Sequence, residues 1–283
     1  MKVLSYKYIK PNEDGIVEGL DRQGYMTPQY MELMMEYLKT IKLEGKCAFL
    51  YAAGAAVTAS EARNTIDSGK YREHEKKSSV VIKELAAYGM HKWIGVLDGR
   101  ANIRYANVNA NTCASSMHSL YEASRLMDDG YDMVVIVAEE KTAYNTLRIF
   151  DEHGIDLKVG EGCAVMVLGK ASSPADEDIT DCKWSYEYNR NPFGVTESGY
   201  RSVYTDCDYV NPHGTGTENN EIAENAVYGD ADQLRYKEKY GHTQGVSGLL
   251  EVCMLLDDED VKGKVLCVSS GLGGYYGSCI VHM

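Results

Sequence analysis

The chain has 283 residues, and 42 acidic against 29 basic side chains leave a net charge of −13. That balance argues against nucleic acid as a main partner, because phosphate binding needs a basic face that releases counterions. With 44% hydrophobic and 25% charged residues the composition is that of a globular protein, which excludes a disordered chain.

The longest apolar stretches, Cys47 to Val57, Met133 to Ala138 and Cys163 to Leu168, fall short of the roughly 20 residues that span a bilayer, so no membrane helix is expected. Met1 to Lys10 lacks an apolar signal region, and a cytoplasmic location is expected. The eight cysteines form no Cys-x-x-Cys pair, which predicts reduced, buried thiols and no metal site. Tyrosine outnumbers phenylalanine 22 to 3, which favours pockets with polar lining.

In chain order, Thr27-Pro28 reads as a cap and first position for a helix carrying Met31, Met34, Met35, Leu38 and Ile41 on one face. Cys47 to Ala53 reads as a strand ending in a Gly/Ala loop, and Lys70 to Lys77 as a solvated charge run. Val80 to Tyr88 looks helical, Ile103 to Asn111 extended, and Ser115 to Asp128 helical. Met133 to Ala138 and Cys163 to Leu168 are apolar runs of buried-strand length. The polar stretch Ala171 to Asp178 marks a boundary between residues 1–172 and 173–283. A second half repeats the order: an extended Tyr209-Val210, a Gly/Thr loop, a helix from Glu221 to Tyr228, a Gly turn at Gly241, a helix from Val246 to Leu256, and strands Val265 to Ser269 and Ser278 to Val281. Such alternation implies an α/β architecture.

Reactive side chains concentrate at four junctions. In Asn109-Ala-Asn-Thr-Cys113-Ala-Ser-Ser116 a thiol sits at the mouth of a helix, where N–H groups and the helix dipole lower a thiol pKa. On this segment alone a nucleophile and an inert buried Cys both remain open. Asn211-Pro-His213-Gly-Thr215-Gly-Thr217 places a His and two hydroxyls among small residues before a helix with Glu221 and Glu224. Lys237-Glu-Lys-Tyr-Gly241-His242-Thr-Gln-Gly repeats the His-beside-Gly arrangement at a matched position of the second helix. Ser270-Gly-Leu272-Gly273-Gly274 is a turn whose N–H groups are unencumbered.

These pieces, with Gly160-Glu161-Gly162 before the Cys163 strand, resemble in order and kind the motifs of the β-ketoacyl synthase (ketosynthase) family of the thiolase fold. The likeness covers roughly residues 100–283 of a chain shorter than that family's members. It implies an α/β thiolase-like fold, two similar halves in an αβαβα layering. It implies further a condensing enzyme in which Cys113 takes an acyl group from a carrier-protein or coenzyme A phosphopantetheine thioester, with no bound cofactor. N–H groups near Cys113 and Leu272 would form an oxyanion hole, and His213 and His242 would hold a malonyl-type extender during decarboxylative Claisen condensation. Thr215, Thr217, Leu272 and Gly273 would meet substrate or the phosphopantetheine arm, and Lys237 and Glu224 would pair behind the histidines.

The two-histidine pattern separates this reading from thiolases, which carry a second Cys before Gly near the end, whereas Cys279 precedes Ile280. Tyr275-Tyr276 after the glycines are expected to narrow the pocket and favour a short or unusual acyl group. The expected partners are an acyl carrier protein, met by Lys70, Arg72, Lys76 and Lys77 or by Lys141 with Arg148, and a second copy of the chain. The alternatives are a heterodimer with another ketosynthase-like chain, a non-catalytic subunit of such a pair, and a Cys-dependent acyltransferase that does not condense.

Overall fold

A computed structural model describes residues 1–15, 17, 29–54, 90–140 and 150–283. Thr27-Pro28, the side chain of Met31, the 70–77 charge run, the helix expected over Val80 to Tyr88, and Lys141 and Arg148 lie outside the described residues.

The first half builds a five-stranded sheet from β1 (Lys2–Ile9), β2 (Cys47–Ala52), β3 (Ile103–Asn109), β4 (Met133–Glu140) and β5 (Gly162–Gly169), in the order β1-β5-β4-β2-β3. The second builds another from β6 (Ile179–Tyr186), β7 (Tyr209–Asn211), β8 (Asp232–Gln233), β9 (Lys264–Gly271) and β10 (Tyr275–His282), in the order β6-β10-β9-β7-β8. The sheets match position by position. In each, the first three strands in spatial order pair antiparallel and the remaining pairs are parallel. Residues 171–178 lie between the last strand of one sheet and the first of the other.

Period-two alternation explains why the central strands read as unbroken apolar runs. Ala48, Leu50, Val134, Ile136, Ala164 and Met166 face a core between the sheets, while Phe49, Val135, Val137 and Val165 face a second core on the outer side. The inner core is filled by two helices, α2 (Ser115–Asp128) and, late in the second half, α6 (Ser247–Leu256). On the outer side of the first sheet lies α1 (Gln29–Thr40), whose Met34 and Leu38 are buried. Over the second sheet, α3 (Glu197–Ser202) and α4 (Glu218–Tyr228) bury Tyr200, Val203 and Tyr228. The short α5 (Tyr236–Tyr240) leads into the turn before α6. The layering is α, β, α, β, α. No helix among the described residues is long and apolar enough to cross a membrane.

The central helices begin alike. Each follows a 3-10 turn, Thr112–Ala114 in one half and Gln244–Val246 in the other, and each turn opens on a non-glycine residue in the left-handed region, Thr112 at φ 53° and Gln244 at φ 51°. The pseudo-symmetry therefore sets Cys113 opposite Gly245.

Candidate active site

Cys113 is carried to the N-terminal end of α2 by the turn that follows β3. Ser115 braces that turn: its Oγ accepts the Asn111 N–H at 2.8 Å and lies 2.6 Å from the Thr112 carbonyl and 3.2 Å from that of Ala53. Asn111 is fixed again through Oδ1, 2.7 Å from His118 Nδ1. The helix terminus was expected to lower the thiol pKa, but burial prevails: desolvation and then the Glu140 carboxyl push it up to about 12, against Lys237 and the Cys113 N–H.

His213 follows the short β7 through Pro212. The backbone there turns at Gly214, φ 53°, and Gly216, φ 75°, in the left-handed region that suits glycine. Glu224 of α4 reaches back to stabilise this turn, accepting the Gly214 N–H at 3.0 and 3.2 Å and the His213 N–H. Its other donor is Asn220 Nδ2, 2.6 Å away. Burial nonetheless raises the Glu224 carboxyl to about 7.

His242 is held by the first half of the molecule. Its N–H donates to the Lys158 carbonyl at 2.7 Å, and its carbonyl accepts the Gly160 N–H at 2.9 Å. Gly241, at φ 81°, makes the approach possible, since a Cβ there would stand 3.2 Å from Lys158 and Gly160. Ser247 Oγ lies 3.3 Å from His242 Nδ1; donation from that hydroxyl leaves the proton on Nε2.

Lys237 of α5 was expected to pair with Glu224. Its ammonium instead lies 2.6 Å from Glu251 Oε1 on α6, both side chains only 4% exposed, as an ion pair out of line for a hydrogen bond. Glu251 Oε2 in turn accepts Asn211 Nδ2 at 2.8 Å. Glu224 is committed to the His213 turn, which is why it does not serve Lys237. Burial is the main cause that holds the His242 imidazole down to about 3, with the Lys237 charge next. For His213 burial is followed by His242 and then Lys237, and its pKa lies well below the ordinary value. Both rings are neutral N–H donors at physiological pH.

These residues share one cavity of about 130 Å³, bordered by Cys113, His213, His242, Thr215, Thr217 and Leu272. The two imidazoles meet edge to face with centroids 5.0 Å apart. His213 Nδ1 is buried with no partner among the described residues. Thr215 Oγ1 and Thr217 Oγ1 lie 3.1 Å apart at the rim. The opposite wall is apolar, made by Phe150, Ile155, Leu157, Pro192, Phe193 and Val195.

Two expectations about the Gly-rich turn are corrected. Gly273, at φ 92°, does not border the cavity; its N–H donates to the Pro192 carbonyl at 2.8 Å, so it shapes the turn against the wall. Nor do Tyr275 and Tyr276 narrow the pocket. Tyr276 points to the outer side of β10, buried against Tyr200 with its hydroxyl taking the Thr196 N–H at 2.9 Å, and Tyr275 stacks on Trp184. Phe150 and Phe193 do the narrowing. Glu251 and Asn220 belong to no motif read from the sequence, and Ser270, which opens the Gly-rich turn, borders the cavity with its hydroxyl 2.9 Å from that of Tyr200.

No family model matches the chain, and no curated protein matches it in sequence. Solved structures do match in fold. One described as the ishigamide ketosynthase/chain length factor superposes with a TM-score of 0.62 at 16% identity, over 85% of this chain and 76% of that one. A β-ketoacyl synthase from Burkholderia phymatum gives 0.61 at 15%, over 84% and 76%. A type II polyketide ketosynthase in complex with its acyl-carrier protein gives 0.58 at 14%, over 82% and 78%. The chain has the thiolase-like α/β fold of the ketosynthases and spans 76–78% of the length of these three.

Proposed function

We propose that the chain is a condensing enzyme that transfers an acyl group to Cys113 and extends it with a malonyl-type thioester. The observation that carries this reading is the convergence of one thiol and two neutral imidazoles on a single cavity, although a hundred residues separate Cys113 from His213.

The Cys113 sulfur attacks the carbonyl of an acyl-phosphopantetheine thioester. The C–S bond to the pantetheine breaks, and the proton lost by the thiol leaves on the departing thiol. Backbone N–H groups of Cys113 and Leu272 hold the oxyanion formed on the way. A malonyl thioester then enters along Thr215 and Thr217, and its carbonyl oxygen accepts N–H bonds from His213 and His242. Loss of carbon dioxide leaves the bonding electrons on the enolate, whose carbon attacks the acyl-Cys113 carbonyl and expels the thiolate. Neutral rings suit this role, since they give protons into hydrogen bonds without serving as acids. The buried Lys237 charge works against their protonation and favours the thiolate.

The carrier is an acyl carrier protein or coenzyme A, with no resident cofactor. The chain acts in the cytoplasm as a homodimer, joined through the edge strand β3, which among the described residues pairs only with β2 and leads into the nucleophile turn. A heterodimer with a second ketosynthase-like chain uses the same edge. The test is intact-mass measurement after incubation with an acyl carrier thioester. Wild type gains the acyl mass and Cys113→Ala does not; no gain in wild type refutes the catalytic reading in favour of a structural subunit.

A further inference from the structure

Behind the cavity, outside its lining, the two halves meet through three residues to which the reaction above gives no part. Gly54, just past the end of β2, donates its N–H to Glu140 Oε2 at 2.6 Å, and the Gly245 N–H donates to the same carboxyl. Glu140 is the last residue of β4 and is 6% exposed. The fit leaves no room for side chains: a Cβ on Gly54 would stand 2.7 Å from Glu140 Oε2, and one on Gly245 would stand 2.1 Å from the Gly54 nitrogen. Ala53, the neighbour of Gly54, is bound from the other side by Ser115, which also braces Asn111 and Thr112. A single line of contacts thus runs from the Cys113 turn through Ser115 and Ala53-Gly54 to Glu140, and on to Gly245 in the turn that carries His242.

We propose that Glu140 is a positioning residue for the reaction, holding the Cys113 turn and the His242 turn in fixed relation across the seam between the halves. Two N–H donors from different halves converge on one carboxyl. If that contact is lost, the thiol of one half and the imidazole of the other lose their shared reference point.

The same carboxyl is electrostatically visible at the nucleophile. Burial raises Glu140 to about 8 despite its two N–H donors, and its charge acts against ionisation of Cys113. The other ionisable groups about it are Glu139 beside it on β4, Tyr51 on β2, Cys163 at the start of β5 with Glu161 just before that strand, and Lys237, whose charge opposes it at the thiol. Tyr51 and Cys163 are pushed to higher pKa by burial and stay neutral through the range in question, whereas Glu140 changes charge near pH 8.

The inference rests on Cys113 being the reactive thiol, and its test separates the two ideas. The rate of Cys113 alkylation by iodoacetamide is followed by intact mass from pH 6 to pH 10, with Cys113→Ala as the blank. Wild type should climb tenfold per pH unit, flatten around pH 8 as Glu140 ionises, then climb again on a lower parallel line. Glu140→Gln, which retains an acceptor for one N–H and loses the charge, should rise without the shoulder and, at pH 9 where wild-type Glu140 is ionised, show a kcat for condensation at least tenfold lower at unchanged KM. A wild-type profile that rises in one straight line overturns the inference even if the variant does not fold. So does a folded Glu140→Gln with wild-type profile and kcat. Absence of Cys113 alkylation at every pH overturns this inference and the proposed nucleophile together.

Discussion

The rings of His213 and His242 stand nearly perpendicular, at 86°, with their centroids 5.0 Å apart, one delivered by the loop after β7 and the other by the turn before α6. Each loop is braced independently, His213 by Glu224 and His242 by the main chain of Lys158 and Gly160. Two neutral donors in this relation suit one carbonyl oxygen. Accordingly, His213→Ala and His242→Ala should both still gain an acyl mass on Cys113, while condensation falls about 10²–10³-fold in each. The double variant should lose less than the product of the single effects, because both rings act on one atom. Failure of either single variant to load would show that the ring serves acylation instead.

Lys237 and Glu251 form an ion pair that is almost wholly out of solvent. Removing one partner strands the other, so Lys237→Met should cost about 3–5 kcal/mol of stability in denaturant unfolding. Lys237→Met combined with Glu251→Leu should recover part of that loss. An equal or larger loss in the double variant would mean that the pair's attraction is not what Lys237→Met removes.

The buried groups set a stability profile whose sign follows from their shifts. The depressed histidines stay neutral in the folded chain, so below their ordinary 6.5 the unfolded chain binds more protons and stability falls as pH falls. Glu140 and Glu224 are raised from 4.5 to about 8 and about 7, so the folded chain binds more protons and stability falls as pH rises from 4.5 through those values. The opposing slopes offset one another between 4.5 and 6.5. Thermal unfolding should therefore give a flat maximum in that window, with Tm declining below pH 4.5 and between pH 6.5 and 8; a Tm still rising from pH 6.5 to 8 would contradict these protonation states.

Phe193 borders the cavity and Tyr275 does not. Phe193→Ala should extend the range of acyl lengths loaded onto Cys113 in a competition between short and medium chains. Tyr275→Ala should leave that range unchanged. The reverse result would restore the tyrosines to the pocket.

Legibility in the sequence followed burial. β4 and β5 announced themselves because both their faces are covered, whereas β1 and β6 were missed because edge strands mix Lys, Tyr and Ser with apolar residues at half-buried positions. The Cys113 and His-Gly motifs stood out since each crowds small residues around a reactive group. Partners far apart in sequence did not stand out: nothing local links Lys237 to Glu251. The one available signal was a lone acid in the otherwise apolar Ser247–Leu256 helix, since such a charge needs a buried counter-ion. Tyr276 was misplaced because strand alternation at the start of β10, not its nearness to the glycines, decides its side of the sheet.

The most direct test follows the carbon. Protein bearing an acyl group on Cys113 is mixed with a malonyl carrier thioester, and carbon dioxide and β-ketoacyl product are measured together. Equal amounts of both, with the acyl mass leaving Cys113 at the same rate, are the expected result. Free acid released from Cys113 with no β-ketoacyl product would contradict the condensing role and leave a hydrolase or simple acyltransferase in its place.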